Sequence, residues 1–269
     1  MKVLRNIDVV KKAIYNLPSL GFVPTMGALH MGHISLIKES KKKCKKTIVS
    51  IYVNPKQFNK SKDFLSYPRN LKKDLNLLRK LKVNFVYLPK TKEIFKDKVK
   101  KILLPNNEKK LCAKYRKGHF EGVLNIMNRF IKIINPNYVF MGEKDYQQVY
   151  LINKFIIKNY KSKIYPCKTV RDKQGIALSS RNNLLKKNEL KKVSLIAQNL
   201  IKFKKYIIKQ RNINKKILIK KKNLIKNFNI KIEYLEVRNE RDLKLYKKKI
   251  KYRIFIAYYI RSIRLIDNF

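Results

Sequence analysis

The first half of the chain alternates short apolar runs with stretches of helical period, and few folds accept that pattern. The runs GFVPT (21–25), TIVSIYV (47–53), VNFVYLP (83–89) and NYVFMG (137–142) end in or against Gly, Pro or Asn. Between them, Ile34–Cys44, Asn70–Lys80 and Gly122–Ile134 read as helices. In the first of these the spacing places Ile34, Ile37 and Lys41 along one side. Strand–helix repetition implies a parallel sheet, because parallel neighbours need a crossover, and that crossover is right-handed. Such a sheet binds ligands beyond the carboxyl ends of its strands, so chemistry is expected just after Val23, Val53 and Phe140. From about residue 169 the texture changes. KKNELKKVSLIAQNLIKFKKYIIK reads as helix with solvated basic faces, and IKIEYLEV (230–237) and YRIFIAYYI (252–260) read as strands. The expected fold class is α/β: a Rossmann-like parallel-sheet domain over residues 1–168 and a smaller C-terminal α+β domain over 169–269.

Charge raises a competing reading. Against 17 acidic residues stand 67 Lys and Arg, a formal +50. A polycation that releases counterions from phosphates would bind nucleic acid. Yet Lys, Ile and Asn together make up 113 of the 269 residues, and their codons are nearly all A/T, so base composition alone inflates them. The excess is also spread out, +30 over residues 1–185 and +20 over 186–269, where a dedicated tail would concentrate it. No specific nucleic-acid partner is therefore expected, only weak anion binding and self-repulsion. Cys44, Cys112 and Cys167 lie far apart, which fits a reducing compartment. Charges interrupt every N-terminal apolar run, and no stretch suits a membrane span, so a cytoplasmic location is expected.

The richest stretch is GFVPTMGALHMGHISLIKES (21–40), in which a strand runs through a turn containing Gly27 and Gly32 into a helix near Ile34. His30 and His33 stand three apart at the helix entrance. Glycines let backbone N–H groups approach a ligand, and a helix N-terminus favours negative charge, so the turn suits phosphate. Two imidazoles there could donate to charge building on a phosphorus centre. Zinc held by His30, His33 and His119 has no supporting Cys or carboxylate spacing.

H-x-G-H after a first strand resembles the signature of the adenylate-forming nucleotidyltransferase superfamily. With it, PTMGALHMGH (24–33), SIYVNPKQF (50–58), YPR (67–69), GHF (118–120), MGEKDYQQ (141–148), ALSSRN (177–182) and RLIDN (264–268) stand in one order. That order and spacing resemble the pantothenate synthetases (pantoate–β-alanine ligases), and the resemblance runs from about residue 20 to 268. It implies an ATP-dependent ligase that forms pantoyl-adenylate with loss of pyrophosphate, then pantothenate and AMP on attack by β-alanine. It implies that Met26, Gly27, Ala28, Leu29, His30, Met31, Gly32 and His33 hold ATP, with His33 as proton donor or charge stabiliser and His30 beside it. Gly142, Glu143, Lys144, Asp145, Val170, Leu178, Ser179, Ser180 and Arg181 complete the ATP site, with Lys144 also catalytic. Gln57, Gln148 and Asn54 bind pantoate and β-alanine. Mg2+ accompanies ATP, with Asp74 as the candidate ligand or, equally, a solvated helix carboxylate. Tyr67, Arg116 and His119 lie in motifs near the site. A homodimer through the first domain and a mobile second domain are further implications.

Two departures stand out. LCAKYRKGHF (111–120) replaces acidic and Gly residues that the family often has here, with Lys117 where Pro is common, and Arg261 stands about where a Gly is usual. Another H-x-G-H nucleotidyltransferase, such as a cytidylyltransferase, is the competing enzyme. Gln57 and Gln148 argue against it, because neutral amides suit a small hydroxy acid.

Overall fold

The computed structural model describes residues 1–59, 61–96, 99–207, 212–246 and 251–269. Of the segment KKNELKKVSLIAQNLIKFKKYIIK (186–209), expected to be helical, residues 208 and 209 lie outside the described residues. The chain divides into two compact units, Met1–Lys109 with Arg116–Lys168, and Lys110–Tyr115 with Thr169–Phe269.

In chain order the first unit contains β1 (Lys2–Leu4), α1 (Ile7–Ile14), β2 (Leu20–Thr25), α2 (Met31–Lys43) and β3 (Lys46–Ile51). Next come α3 (Ser61–Leu65), α4 (Leu71–Lys80), β4 (Phe85–Tyr87) and α5 (Thr91–Ile94), then α6 (Cys112–Tyr115), which passes to the second unit. The first unit ends with α7 (His119–Ile134), β5 (Tyr138–Gly142), α8 (Tyr146–Phe155) and β6 (Lys163–Cys167). Its six strands form one sheet in the order β1-β4-β3-β2-β5-β6, and every pairing is parallel. The central strands read as continuous apolar runs because they are covered on both faces. Val23, Val49 and Phe140 pack with Leu36 and Ile37 of α2 and Leu78 of α4. On the other face Phe130 of α7 meets Phe22 and Tyr87 edge-on, at 5.6 and 5.9 Å between ring centroids. The Rossmann-like expectation is met, with α2 and α4 on one face and α7 on the other.

One detail differs. The buried side of α2 is Leu36, Ile37 and Ser40, while Ile34 is half-buried and Lys41 exposed. The Ser40 hydroxyl turns inward because it bonds Thr47 Oγ1 at 2.8 Å, and Lys41 extends to the Leu81 carbonyl instead.

Two features open the site. β3 lies on one side of β2 and β5 on the other, so the winding reverses between β2 and β5. Their pairing also stops at Phe22 and Val139, two residues before Pro24, which has no N–H to offer a ladder. The carboxyl ends of the two strands are thereby free to part.

The second unit holds α9 (Lys187–Ile207), α10 (Ile213–Phe228) and the antiparallel sheet β7 (Lys231–Asn239), β8 (Tyr252–Ile260) and β9 (Ile263–Asn268). Val193, Ile196, Leu200, Phe203 and Ile207 recur at helical spacing on α9 and share a core with Ile232, Val237, Ile254 and Ile256. The smaller α+β architecture expected of this half is present. Between β8 and β9, Arg261 sits at φ +51°, in the left-handed region that hairpin loops usually give to Gly. Relief of that strain is worth about 1–2 kcal/mol, whereas the ion pair from the exposed Arg261 to Glu189 is screened by solvent and contributes less. Arg261→Gly is therefore expected to raise stability slightly, with Tm up by a few degrees at most. A lower Tm in a thermal melt would show that the ion pair outweighs the strain.

Candidate active site

The turn after β2 is built by acceptors within the protein. Gly27 (φ +80°) and Ala28 (φ +50°) are both left-handed, which sends successive N–H groups to one side. Those of Ala28 and Leu29 donate to Asp74 Oδ2 and Oδ1 at 2.9 and 2.8 Å. Gly27 N–H donates to Thr25 Oγ1 at 3.2 Å. His30 then caps α2: its Nδ1 accepts from Gly32 N–H at 3.1 Å, and its own N–H donates to His33 Nδ1 at 3.3 Å. This is a capping box made by two histidines. The N–H groups of Gly27, Ala28, Leu29, His30 and Gly32 are thus bonded within the protein, to Thr25, Asp74 and the two histidines.

Which tautomer the histidines adopt follows directly. A neutral imidazole that accepts at Nδ1 carries its proton on Nε2, so His30 and His33 both present Nε2–H as a donor. They are held neutral. Burial, then the neighbouring His30 and Lys144, lowers the pKa of His33 to about 3. Burial, then Lys144, lowers that of His30 to about 4, against a smaller opposing effect of Asp145. The rings lie 4.2 Å apart between centroids. Lys144 follows β5, across the point where the winding reverses, and its ammonium stands 3.6 Å from Asp145.

A depressed histidine pKa destabilises the fold in acid, because the unfolded chain takes up a proton that the folded chain refuses. For His33 the window runs from pH 6.5 down to about 3, at about 1.4 kcal/mol per pH unit. Urea unfolding at pH 7 and pH 5 is expected to show wild type losing about 2 kcal/mol more than His33→Asn on acidification. Equal losses would place the His33 pKa near its ordinary value.

After β3 the chain enters the turn Pro55–Gln57, capped by Asn54, which is only 1% exposed. Asn54 Nδ2 donates to the Gly122 carbonyl at 3.1 Å and to Gln57 Oε1 at 3.3 Å, while its Oδ1 accepts from Lys56 N–H. The Gln57 amide donates to Met26 Sδ at 2.7 Å, which joins this turn to the histidine turn. Arg116 Nη1 donates to His119 Nε2 at 2.9 Å, so the His119 proton lies on Nδ1, which donates to the Gln57 carbonyl at 2.7 Å. Gln148 stands half-buried on the first turn of α8. Asn54, expected to bind substrate, is held on both ends of its amide by protein and bonds the Gln57 side chain directly.

In the second unit Leu178 N–H bonds the Val170 carbonyl at 3.0 Å, closing a hairpin that ends in Ser179–Arg181. Ser179 Oγ caps the turn Ser180–Leu184 by accepting from Arg181 N–H at 3.3 Å. Sequence reasoning passes over Arg171, whose guanidinium makes a two-pronged pair with Asp267 at 2.7 and 2.8 Å and bonds the Gly175 carbonyl. The signal was there in RLIDN, whose Asp267 needs a cationic partner once buried.

Asp74 also departs from expectation. It is 3% exposed, which overturns the solvated alternative, and each of its oxygens accepts a backbone N–H. Among the described residues no three His, Cys, Asp or Glu converge on a metal position.

Comparison with known proteins decides the family. The model of the pantoate–β-alanine ligase family matches residues 2–269. The chain belongs to the pantoate–β-alanine ligase family. It is 37% identical to a pantothenate synthetase of Flavobacterium psychrophilum over 266 residues, 96% of this chain and 94% of that protein. With a pantothenate synthetase of Leptospira interrogans it shares 41% identity over 254 residues, 93% and 89% of the two chains. The crystal structure of a pantoate–β-alanine ligase from Francisella tularensis, complexed with beta-gamma ATP and β-alanine, has a TM-score of 0.83 at 36% identity. It covers 100% of this chain and 97% of that one. A pantothenate synthetase from Thermus thermophilus has a TM-score of 0.89 at 26% identity, over 100% and 99% of the chains. Within this ligase family the first unit brings Met26, His30, His33, Asn54, Gln57 and Lys144 to adjoining carboxyl ends of β2, β3 and β5.

Proposed function

We propose that the protein condenses pantoate with β-alanine in an ATP-dependent reaction that proceeds through pantoyl-adenylate. The observation that carries this reading is the pair of neutral histidines presenting Nε2–H at the head of α2, with Lys144 beside them. A pantoate carboxylate oxygen attacks the α-phosphorus of ATP, and negative charge gathers on the phosphoryl oxygens as pyrophosphate leaves. Two fixed donors and an ammonium stabilise that charge without reorganising. His33 acts as charge stabiliser rather than proton donor, because no acidic proton is needed to expel pyrophosphate and the ring is neutral at working pH. The amine of β-alanine then attacks the acyl carbon, AMP leaves with the electron pair of the acyl–oxygen bond, and the amine loses a proton to give pantothenate.

Gln57 and Gln148 supply neutral amides for the hydroxyls and carboxylate of pantoate, and Asn54 orients Gln57. Met26, Gly27, Ala28, Leu29, Met31 and Gly32 shape the ATP side of the cleft. Gly142, Glu143 and Asp145 border it after β5, where a side chain at Gly142 would meet nothing within 4 Å, leaving room for nucleotide. Val170, Leu178, Ser179, Ser180 and Arg181 of the second unit are further ATP contacts, and the division into nucleotide/pantoate domain (1–168) and lid (169–269) belongs to the same proposal. Magnesium would accompany ATP and would neutralise charge between its phosphates. A homodimer and a cytoplasmic location complete the reading; no helix among the described residues is long and apolar enough to cross a membrane.

The test is isotope exchange. With pantoate present and β-alanine absent, labelled pyrophosphate is expected to enter ATP, because adenylation is reversible. Exchange that ignores pantoate, or that requires a different acid, would contradict the proposal.

A further inference from the structure

We infer that Asp74 is a positioning residue of the reaction, its buried carboxylate holding the left-handed turn from which His30 and His33 are aimed. The inference rests on the function proposed above. Three observations on two separate elements support it. Asp74 lies on α4, 44 residues away in sequence from His30, and reaches the turn with both oxygens. The turn is strained without help: Ala28 at φ +50° is a conformation that L side chains rarely adopt. A side chain at Gly27 would come within 3.0 Å of Asp74 Oδ2, so turn and carboxylate are fitted to each other.

The chemistry explains why a charged acceptor is used. Consecutive N–H groups of a left-handed turn make an anion-binding concavity, and in phosphate-binding loops a phosphate fills it. Here the protein fills its own concavity. The turn therefore keeps its shape whether or not nucleotide is present, and His30 begins α2 with Nδ1 already engaged, which leaves its proton on Nε2. Asparagine at position 74 retains one acceptor oxygen but offers an NH2 group to the second N–H, so one of the two bonds becomes a repulsion.

The test is a double-mutant cycle in the full-length protein. Asp74→Asn is expected to lower kcat about 10- to 100-fold, the usual loss when a supporting shell is disturbed, with the KM for pantoate little changed. Asp74→Ala is expected to lose more, and the asparagine to be the partial rescue. Added to His33→Asn, Asp74→Asn is expected to cost almost nothing further, because it acts through the histidine. The magnesium concentration for half-maximal rate is expected to stay where it is in wild type. Additive losses together with a raised magnesium requirement would overturn the inference and make Asp74 a metal ligand. An Asp74→Asn enzyme as fast as wild type would overturn it too. Should wild type itself fail to turn over pantoate, the proposed function fails; the cycle is then read on the NMR signal of His33 Nε2–H, which Asp74→Asn is expected to shift, and an unmoved signal would overturn the inference.

Discussion

His33→Ala is expected to lower kcat by about 10²- to 10⁴-fold, the range for removing a group that stabilises transition-state charge. The loss has two sources that can be separated. His33 Nδ1 accepts the His30 N–H, so alanine also removes half of the capping box, at about 1 kcal/mol of stability. Asparagine can place an oxygen near the Nδ1 position and keep the cap, but it has nothing at Nε2. Glutamine can reach the Nε2 position with an N–H and gives up the cap. If charge stabilisation dominates, His33→Asn is as slow as alanine although it melts like wild type, and His33→Gln recovers part of the rate. The reverse order of rates would mean that His33 works chiefly as a helix cap. Steady-state kinetics and thermal melts of the three variants read both quantities.

Gly122→Ala is the second change with a large expected effect. A methyl group built on Gly122 would lie 2.2 Å from the Lys56 carbonyl oxygen and 2.6 Å from its carbon. Both partners are backbone, one within α7 and the other within the turn that carries Gln57, so no flexible side chain can yield. Alanine improves helix propensity by about 1 kcal/mol, whereas overpacking of this kind costs about 3 kcal/mol or more. The clash wins, and α7 is expected to part from the turn. The Asn54 bond to the Gly122 carbonyl breaks with it, and Gln57 loses its orientation. We expect a drop of several degrees in Tm together with a KM for pantoate raised at least about tenfold, since 1.4 kcal/mol of lost binding corresponds to a factor of ten. A variant that melts normally and keeps its KM would show that α7 and the turn are less closely joined than their contacts indicate.

Much of this architecture can be read along the chain, and the gaps have physical causes. The runs at 21–25, 47–53, 83–89 and 137–142 announce β2 to β5 because central parallel strands are apolar on both faces. The edge strands do not announce themselves. β1 is three residues long, and β6, KIYPC, is short and broken by a lysine and a proline, as an edge position readily accepts. β9 reads only as the motif RLIDN, since its pairing with β8 is a matter of hairpin geometry. The order of strands, and with it the reversal between β2 and β5, depends on long-range pairing that periodicity does not carry. The passage of Lys110–Tyr115 into the second unit has the same cause.

The site was legible where function demands particular side chains, and illegible where it demands support. His30, His33, Gln57 and Lys144 stand in recognisable motifs, and the fold gathers them. Asp74 is different. In LKKDLNLLRK it looks like one acid among lysines, and only its place one helical turn before the buried Leu78 hints that it faces inward. Asn54 likewise reads as a ligand-binding amide, yet its bonds to Gly122 and Lys56 are set by a helix sixty-eight residues away and by its own turn. The glycines of the histidine turn suggested a backbone cradle for phosphate. The left-handed bend at Gly27 and Ala28 also turns the N–H groups of Ala28 and Leu29 toward Asp74, a partner no glycine pattern announces.

The central claim is that this chain joins pantoate to β-alanine through an adenylate, and the most direct measurement is product stoichiometry. Purified protein is incubated with ATP, magnesium and both acids, and AMP and pantothenate are quantified together. The account predicts one AMP for each pantothenate, and none when either acid is omitted. Release of ADP in place of AMP, or AMP formed without pantoate, would contradict it.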